Sequence, residues 1–262
     1  MSKIKIRDAF AHGKAFIGFL TGGDPSIEKS EEFILKMVEA GCDLIEIGIP
    51  FSDPVAEGPV IQEANLRALA ADTTTDKIFE LAQNVRKKTD VPLVFLTYLN
   101  PVYKYGYERF CQRCEEIGVN GLIIPDMPYE EKEELLEIGR KYDVDIISLI
   151  APTSEERVRM IAKDAKGFLY IVSSMGVTGM RSEIKTDLEA ILTSVKEVTD
   201  TPAAVGFGVN TPEQAKKIAR IADGVIVGSA IVKIIEKYGE EAGEHIYDYV
   251  KSMKDAIQKI EL

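Results

Sequence analysis

Glu46 stands out because it interrupts an otherwise apolar run, Leu44-Ile45-Glu46-Ile47-Gly48-Ile49. A carboxylate on such a strand lies in a dry place whichever face it takes, so its charge needs a reason. Two readings are open: a glutamate tied into a buried hydrogen-bond network, or an acid/base whose protonation is tuned by desolvation. Glu57 follows in the Pro-bracketed loop Phe51–Pro59, with Asp53 between them. Acidic loop residues are usually solvated, but next to Glu46 these place two or three carboxylates at one strand end. That is the raw material of proton transfer.

A second chemistry is written in glycine. Gly176-Val177-Thr178-Gly179, Gly206-Phe207-Gly208 and Gly228-Ser229 each follow or end an apolar run, and a helical pattern opens at Ala230. Glycine lets backbone approach an anion closely, and a helix N-terminus supplies N–H donors and a favourable dipole. The chain carries a formal net charge of −11, which argues against nucleic acid or an anionic membrane as partner. A phosphate would therefore be held locally, by backbone N–H groups and not by a basic field.

Other chemistries find little support. The three cysteines are Cys42, Cys111 and Cys114; the last two form a CxxC in the middle of an amphipathic helical pattern and read as helix-face thiols. No second pair or histidine cluster completes a metal site, and with only His12 and His245 a Ser–His–Asp triad is not expected. No apolar run approaches the roughly 20 residues that span a bilayer. The start, MSKIKIRDAFAHG, has no apolar stretch behind its positive charge, so a cytoplasmic location is expected.

Something must position these residues, and the chain's pattern supplies it. Short apolar runs at 15–21, 44–49, 93–98, 121–125, 145–150, 168–172, 203–207 and 224–228 read as parallel strands covered by helices. Amphipathic segments separate them: Ser26–Ala40, Asp76–Lys87, Tyr107–Ile117, Glu130–Tyr142, Ser154–Lys163, Lys185–Val198 and Thr211–Arg220. Extra helices are expected at Lys3–Ala11, Gln62–Ala70 and Glu244–Ile260. The pattern predicts an α/β fold, a single (β/α)₈ TIM barrel with extra N- and C-terminal helices, in one domain spanning 1–262. An open doubly wound sheet is the alternative, but TGGDPS after the first strand is no GxGxxG. In a barrel the loops Asp53–Pro59 and Gly176–Lys185 fall on the C-terminal rim, as candidate lids.

These segments closely resemble the tryptophan synthase alpha chain family. The likeness runs from FLTGGDP (19–25) through LIEIGIPFSDPVAEGPVIQEANLRAL (44–69), TYLNPVYKYG (97–106), IIPDMPYEE (123–131), SSMGVTG (173–179) and GFGVNTPEQ (206–214) to ADGVIVGSAIV (222–232). The resemblance implies a lyase that cleaves indole-3-glycerol phosphate to indole and glyceraldehyde 3-phosphate by a retro-aldol reaction, with no metal or organic cofactor. It implies that Glu46 is the general acid/base and that a second carboxylate, matched by Glu57, stabilises the protonated ring. Phe19, Leu96 and Tyr170 match residues around the indole; Gly179, Gly208, Gly228 and Ser229 match phosphate-site positions. An α₂β₂ complex with a β subunit is implied, with Asp53, Tyr98, Asn100 and Pro101 near the interface. Tyr103 and Tyr105 read equally as interface aromatics or rim packing.

In one place the chain departs from the best-known form of the pattern: the motif takes aspartate or glutamate at the position of Glu57, and aspartate is the residue of that form. Glutamate reaches about 1.5 Å further, and a shift of about 1 Å in a catalytic constellation can cost ~10²-fold in rate. A rival reading follows, a catalytically weak subunit acting mainly as a binding and allosteric partner of β. Another rival keeps the barrel but acts on a different phosphorylated indole or ribose intermediate.

Overall fold

The computed structural model describes residues 4–173, 181–206 and 208–259, and for 181–187 it describes the backbone only. Eight strands close into a barrel in sequence order: β1 (Ala15–Thr21), β2 (Leu44–Gly48), β3 (Leu93–Leu96), β4 (Gly121–Ile123), β5 (Asp145–Ile150), β6 (Leu169–Val172), β7 (Ala203–Gly206) and β8 (Gly224–Val227). Every neighbouring pair is parallel, including β8 with β1, which rules out the open sheet.

Helices connect the strands: α1 (Ile27–Glu39), α2 (Pro59–Ala70), α3 (Thr75–Arg86), α4 (Leu99–Tyr105), α5 (Tyr107–Ile117), α6 (Glu133–Lys141), α7 (Glu155–Lys163), α8 (Arg181–Lys196), α9 (Pro212–Ala219), α10 (Ser229–Tyr238) and α11 (Ala242–Gln258). Their starts follow the sequence signals. Ser26, Thr74 and Ser154 cap α1, α3 and α7 by accepting a backbone N–H, and Thr211 with Gln214 forms a capping box on α9.

Three elements differ from the sequence reading, the first being Glu130–Tyr142, which splits into a 3₁₀ turn at Tyr129–Glu131 and α6. The expected Lys3–Ala11 helix is a 3₁₀ turn over Ile6–Phe10. The run 93–98 is a strand only to Leu96, and α4 follows at Leu99. Asn100-Pro101 looks like a loop signal, yet proline is tolerated in a first helical turn because its missing N–H would have no partner there.

Alternation along the strands sorts the core in two. Phe16, Leu20, Ile45, Ile47, Phe95 and Ile146 pack outward with the helices, in a large cluster that also takes in Cys42, Cys111 and Cys114. Ile17, Leu44, Val94, Ile123, Ile147, Ala204 and Ile226 fill the barrel interior. The 3₁₀ turn closes the interior at the N-terminal end, where Ile6 and Ala9 join this cluster and Phe10 lies 6.0 Å from the ring centre of Phe168. The C-terminal end stays open.

Candidate active site

Glu46 shares the inward parity of Leu44, two residues before it, and sits in register with Phe19 on β1 and Val94 on β3. It is fully buried, and neither carboxylate oxygen has a hydrogen-bond partner among the described residues. That decides against the structural-network reading. Desolvation raises its pKa to about 8, so the carboxyl is protonated at neutral pH.

The barrel mouth is a pocket of about 1110 Å³, ample for a small phosphorylated ligand. Its lining brings together Glu46, Glu57, Phe19, Leu96, Tyr170, Gly208, Gly228 and Ser229, from β1, β2, β3, β6 and the ends of β7 and β8. Gly179 and most of the Gly176–Lys185 loop lie outside the described residues.

Tyr170 is the next inward residue above Phe168, on β6, and burial, with nearby Glu46 as the lesser cause, raises its hydroxyl pKa well above the usual range. It thus faces the site as a neutral hydrogen-bonding group. Close packing fixes the ring positions. A Cβ on Gly206 would lie 2.7 Å from the Tyr170 hydroxyl, and one on Gly48 would lie 2.9 Å from the Phe19 ring. Small residues at these strand ends therefore seat the two aromatics.

Phe19 also belongs to a small apolar cluster with Ile61, Ala64 and Val232, against which Val60 and Leu96 pack. The α2 and α10 members of this wall were not singled out in the sequence. Their signal was present as apolar residues at helical spacing, but that spacing reads equally as ordinary core.

Glu57 sits just before α2, half-buried on the pocket wall. Burial raises its pKa above the ordinary value, while hydrogen bonds from Asn65 and Tyr98 pull it back. The Asn65 amide donates to Oε2 at 2.7 Å, and Gln62 Nε2 donates to the Glu57 carbonyl at 2.9 Å. Asp53, in contrast, is exposed, accepts a hydrogen bond from Ser52 and does not line the pocket. Of the three acidic candidates, the structure unites two.

Tyr98 changes place. Expected near a partner surface, its side chain is 1% exposed, its hydroxyl accepts the Ala56 N–H at 3.1 Å, and its ring lies 5.3 Å from that of Phe51. It acts inside the chain, tying the Glu57 loop to the end of β3. Asn100 is exposed and Pro101 partly so, at the start of α4. Tyr103 is 71% exposed, whereas Tyr105 packs on Phe79 and Phe110 and donates its hydroxyl hydrogen to Asp76.

The described glycine positions expected to meet an anion lie at the ends of β7 and β8. Gly208 has φ +78°, a left-handed conformation that glycine adopts without strain. Gly228 is the N-cap of α10, and Gly228, Ser229 and Ala230 at the start of that helix line the pocket. Lys233, one turn further, also lines the pocket. It lies outside the glycine motifs, which is why the sequence reading passed over it.

The comparisons with known proteins agree with this architecture. A family model described as tryptophan synthase alpha chain matches residues 7–259. The tryptophan synthase alpha chain of Lacticaseibacillus casei is 49% identical over 253 residues, covering 97% of this chain and 95% of that protein. Among solved structures, the alpha subunit from Legionella pneumophila superposes with a TM-score of 0.86 at 38% identity, covering 94% of each chain. A chain of the Pyrococcus furiosus tryptophan synthase α₂β₂ complex gives a TM-score of 0.85 at 36% identity, covering 93% of this chain and 99% of that one. On these matches, which span nearly the whole chain, this chain belongs to the tryptophan synthase alpha chain family.

Proposed function

We propose that this chain cleaves indole-3-glycerol phosphate to indole and glyceraldehyde 3-phosphate and works as the α partner of a β subunit in an α₂β₂ assembly. The observation that carries the reading is Glu46, a buried carboxyl with no hydrogen-bond partner among the described residues, whose pKa is raised to about 8. Such a group holds a proton at neutral pH and can deliver it, as the first step requires.

The protonated Glu46 gives its proton to the indole ring carbon that bears the glycerol chain. Positive charge then develops at the ring nitrogen, where the Glu57 carboxylate accepts the N–H hydrogen bond and stabilises it. The Glu46 carboxylate next takes the proton of the glycerol hydroxyl on the adjacent carbon. The carbon–carbon bond breaks, its electron pair returns to the ring, and the hydroxyl carbon becomes the aldehyde. Glu46 ends protonated, ready for another turn. No external electron sink is needed, because the protonated ring is the sink.

Phe19 and Leu96 flank the indole, Tyr170 stands beside the reacting centre, and the phosphate sits against Gly208, Gly228 and Ser229. Asp53, Asn100 and Pro101, on the rim, face the β subunit. No helix among the described residues is long and apolar enough to cross a membrane, and we place the chain in the cytoplasm as one domain.

The test is direct. Glu46→Gln should keep the fold and substrate affinity and lose roughly 10²–10⁴-fold in indole release. Near-normal turnover would remove Glu46 from the proton-transfer role.

A further inference from the structure

We propose that Asn65 is a positioning residue for this reaction: its amide holds one oxygen of Glu57 and leaves the other to meet the ring nitrogen of the substrate. The proposal rests on the reading of Glu57 given above and names what makes that residue competent.

Asn65 is out of character with its surroundings. The other buried positions of α2 are Ile61, Ala64 and Ala68, all apolar, and Asn65 is 4% exposed among them. Asparagine is a weak helix former, and a buried amide costs free energy unless its hydrogen bonds are made. The bond it makes is to Glu57, eight residues back and just outside the helix, at 2.7 Å. An ionised carboxylate only accepts, which fixes the amide nitrogen as the end that faces it.

The donor is also held still. Two residues on, Arg67 grips the buried Asp24 through two bonds of 2.9 and 2.8 Å, locking α2 to the loop after β1. Gln62 holds the Glu57 carbonyl, and Tyr98 holds the Ala56 N–H. A solvated loop acid would not be gripped on both sides by side chains from a helix and a strand end. This arrangement leaves the carboxylate little freedom except towards the pocket.

The charged surroundings sharpen the expectation. Tyr98 at the end of β3 also hydrogen-bonds Glu57, Glu46 on β2 lines the same pocket, and Asp126 acts on Tyr98. Lys132, Arg157 and Lys233 line the same pocket, but none of them is among the groups that shift Glu57, whose charge is eased by the Asn65 and Tyr98 hydrogen bonds. Glu57 works ionised and sets the acidic limb of the rate profile; Glu46 works protonated and sets the alkaline limb.

The test is a double-mutant cycle with pH profiles of indole release. Asn65→Leu should lower kcat roughly 10- to 100-fold, the size of a lost hydrogen bond to a charged group, with KM little changed. Its acidic limb should move to higher pH while the alkaline limb stays. In the Glu57→Gln background the same change should cost less than about 3-fold, because the partner it positions is already disabled. Fully multiplicative losses, or an unmoved acidic limb, would overturn the proposal. Asn65→Ser, smaller and still polar, is read in the same way if the leucine variant does not fold. Full activity of Glu57→Gln would instead sink the reading of Glu57 itself, and a crippled Glu57→Gln beside a normal Asn65→Leu would sink only the positioning role.

Discussion

The lower and upper halves of the barrel interior are made by the same strands with the same inward parity, yet they are opposite in character. Below, Ile17, Leu44, Val94, Ile147 and Phe168 meet Ile6 and Ala9 of the 3₁₀ turn in an apolar plug. Above, two residues further along the same strands, Leu44 gives way to Glu46 and Phe168 to Tyr170, and the ends of β7 and β8 carry glycine. The lower half is an ordinary apolar core. The upper half buries a carboxyl with no partner among the described residues, and that is where we propose the chemistry lies. If the proposed site is right, stability and activity are stacked along one axis and should be separable by mutation.

The largest expected effect on the lower half is Ile6→Ala. Ile6 is 1% exposed, and its Cδ1 sits where a Cβ on Gly121 or Gly167 would come within 2.9 or 3.1 Å. Removing the side chain leaves a cavity that those glycines cannot fill, at a cost of about 2–5 kcal/mol in urea unfolding. The folded fraction should release indole at a near-normal kcat. A fall in kcat comparable to that of Glu46→Gln would show that the two halves are not independent.

On the upper half the sign reverses. Glu46 has an ordinary pKa of 4.5 and a folded value of about 8, so between these the unfolded chain binds fewer protons than the folded one. Burial of this residue therefore costs progressively more stability as pH rises from about 5 to 8, near 1.4 kcal/mol per pH unit at most. Glu46→Gln removes the titration. Its stability relative to the parent chain should climb across that window and level off above it, while activity is lost. A pH-independent difference would mean that the carboxyl is solvated in the folded state.

How much of this was legible in the sequence depends on the range of the contact. The strands, the barrel and Glu46 were readable because each is a local pattern, an apolar run with or without one charge in it. The rest depends on pairs that no local pattern encodes. Tyr98 reaches Ala56 across 42 residues, and its aromatic ring alone reads equally as surface or core. Asn65 looks like a tolerated polar residue in a helix until Glu57 is seen beside it. The split between Glu57 and Asp53, four residues apart in one loop, comes from which of them α2 grips. The apolar residues of the 3₁₀ turn at Ile6–Phe10 face the plug, and their spacing alone does not distinguish such a turn from a longer helix.

The smallest effect expected concerns the anion end, the part of the upper half that relies on backbone instead of side-chain charge. The cradle of Gly208, Gly228 and Ser229 has one nearby cation on its helix, Lys233, exposed and lining the pocket. If backbone N–H groups and the α10 N-terminus make most of the contacts, Lys233→Ala should weaken a phosphate-bearing ligand by only about 1 kcal/mol, roughly 5-fold in KM. The loss should shrink as salt rises, since an exposed charge is screened while the short backbone bonds are not. Gly228→Ala should do more. Its Cβ would come within 3.1 Å of Phe19, pressing on the indole wall as well as on the cradle, so that KM and kcat both change. The order of the two variants is the decisive reading. A loss from Lys233→Ala that exceeds the loss from Gly228→Ala, and persists in high salt, would mean that a side-chain ion pair holds the phosphate. The acidic chain would then be using a local basic field after all, and the contrast between a backbone-built anion end and a side-chain-built acid end would fail.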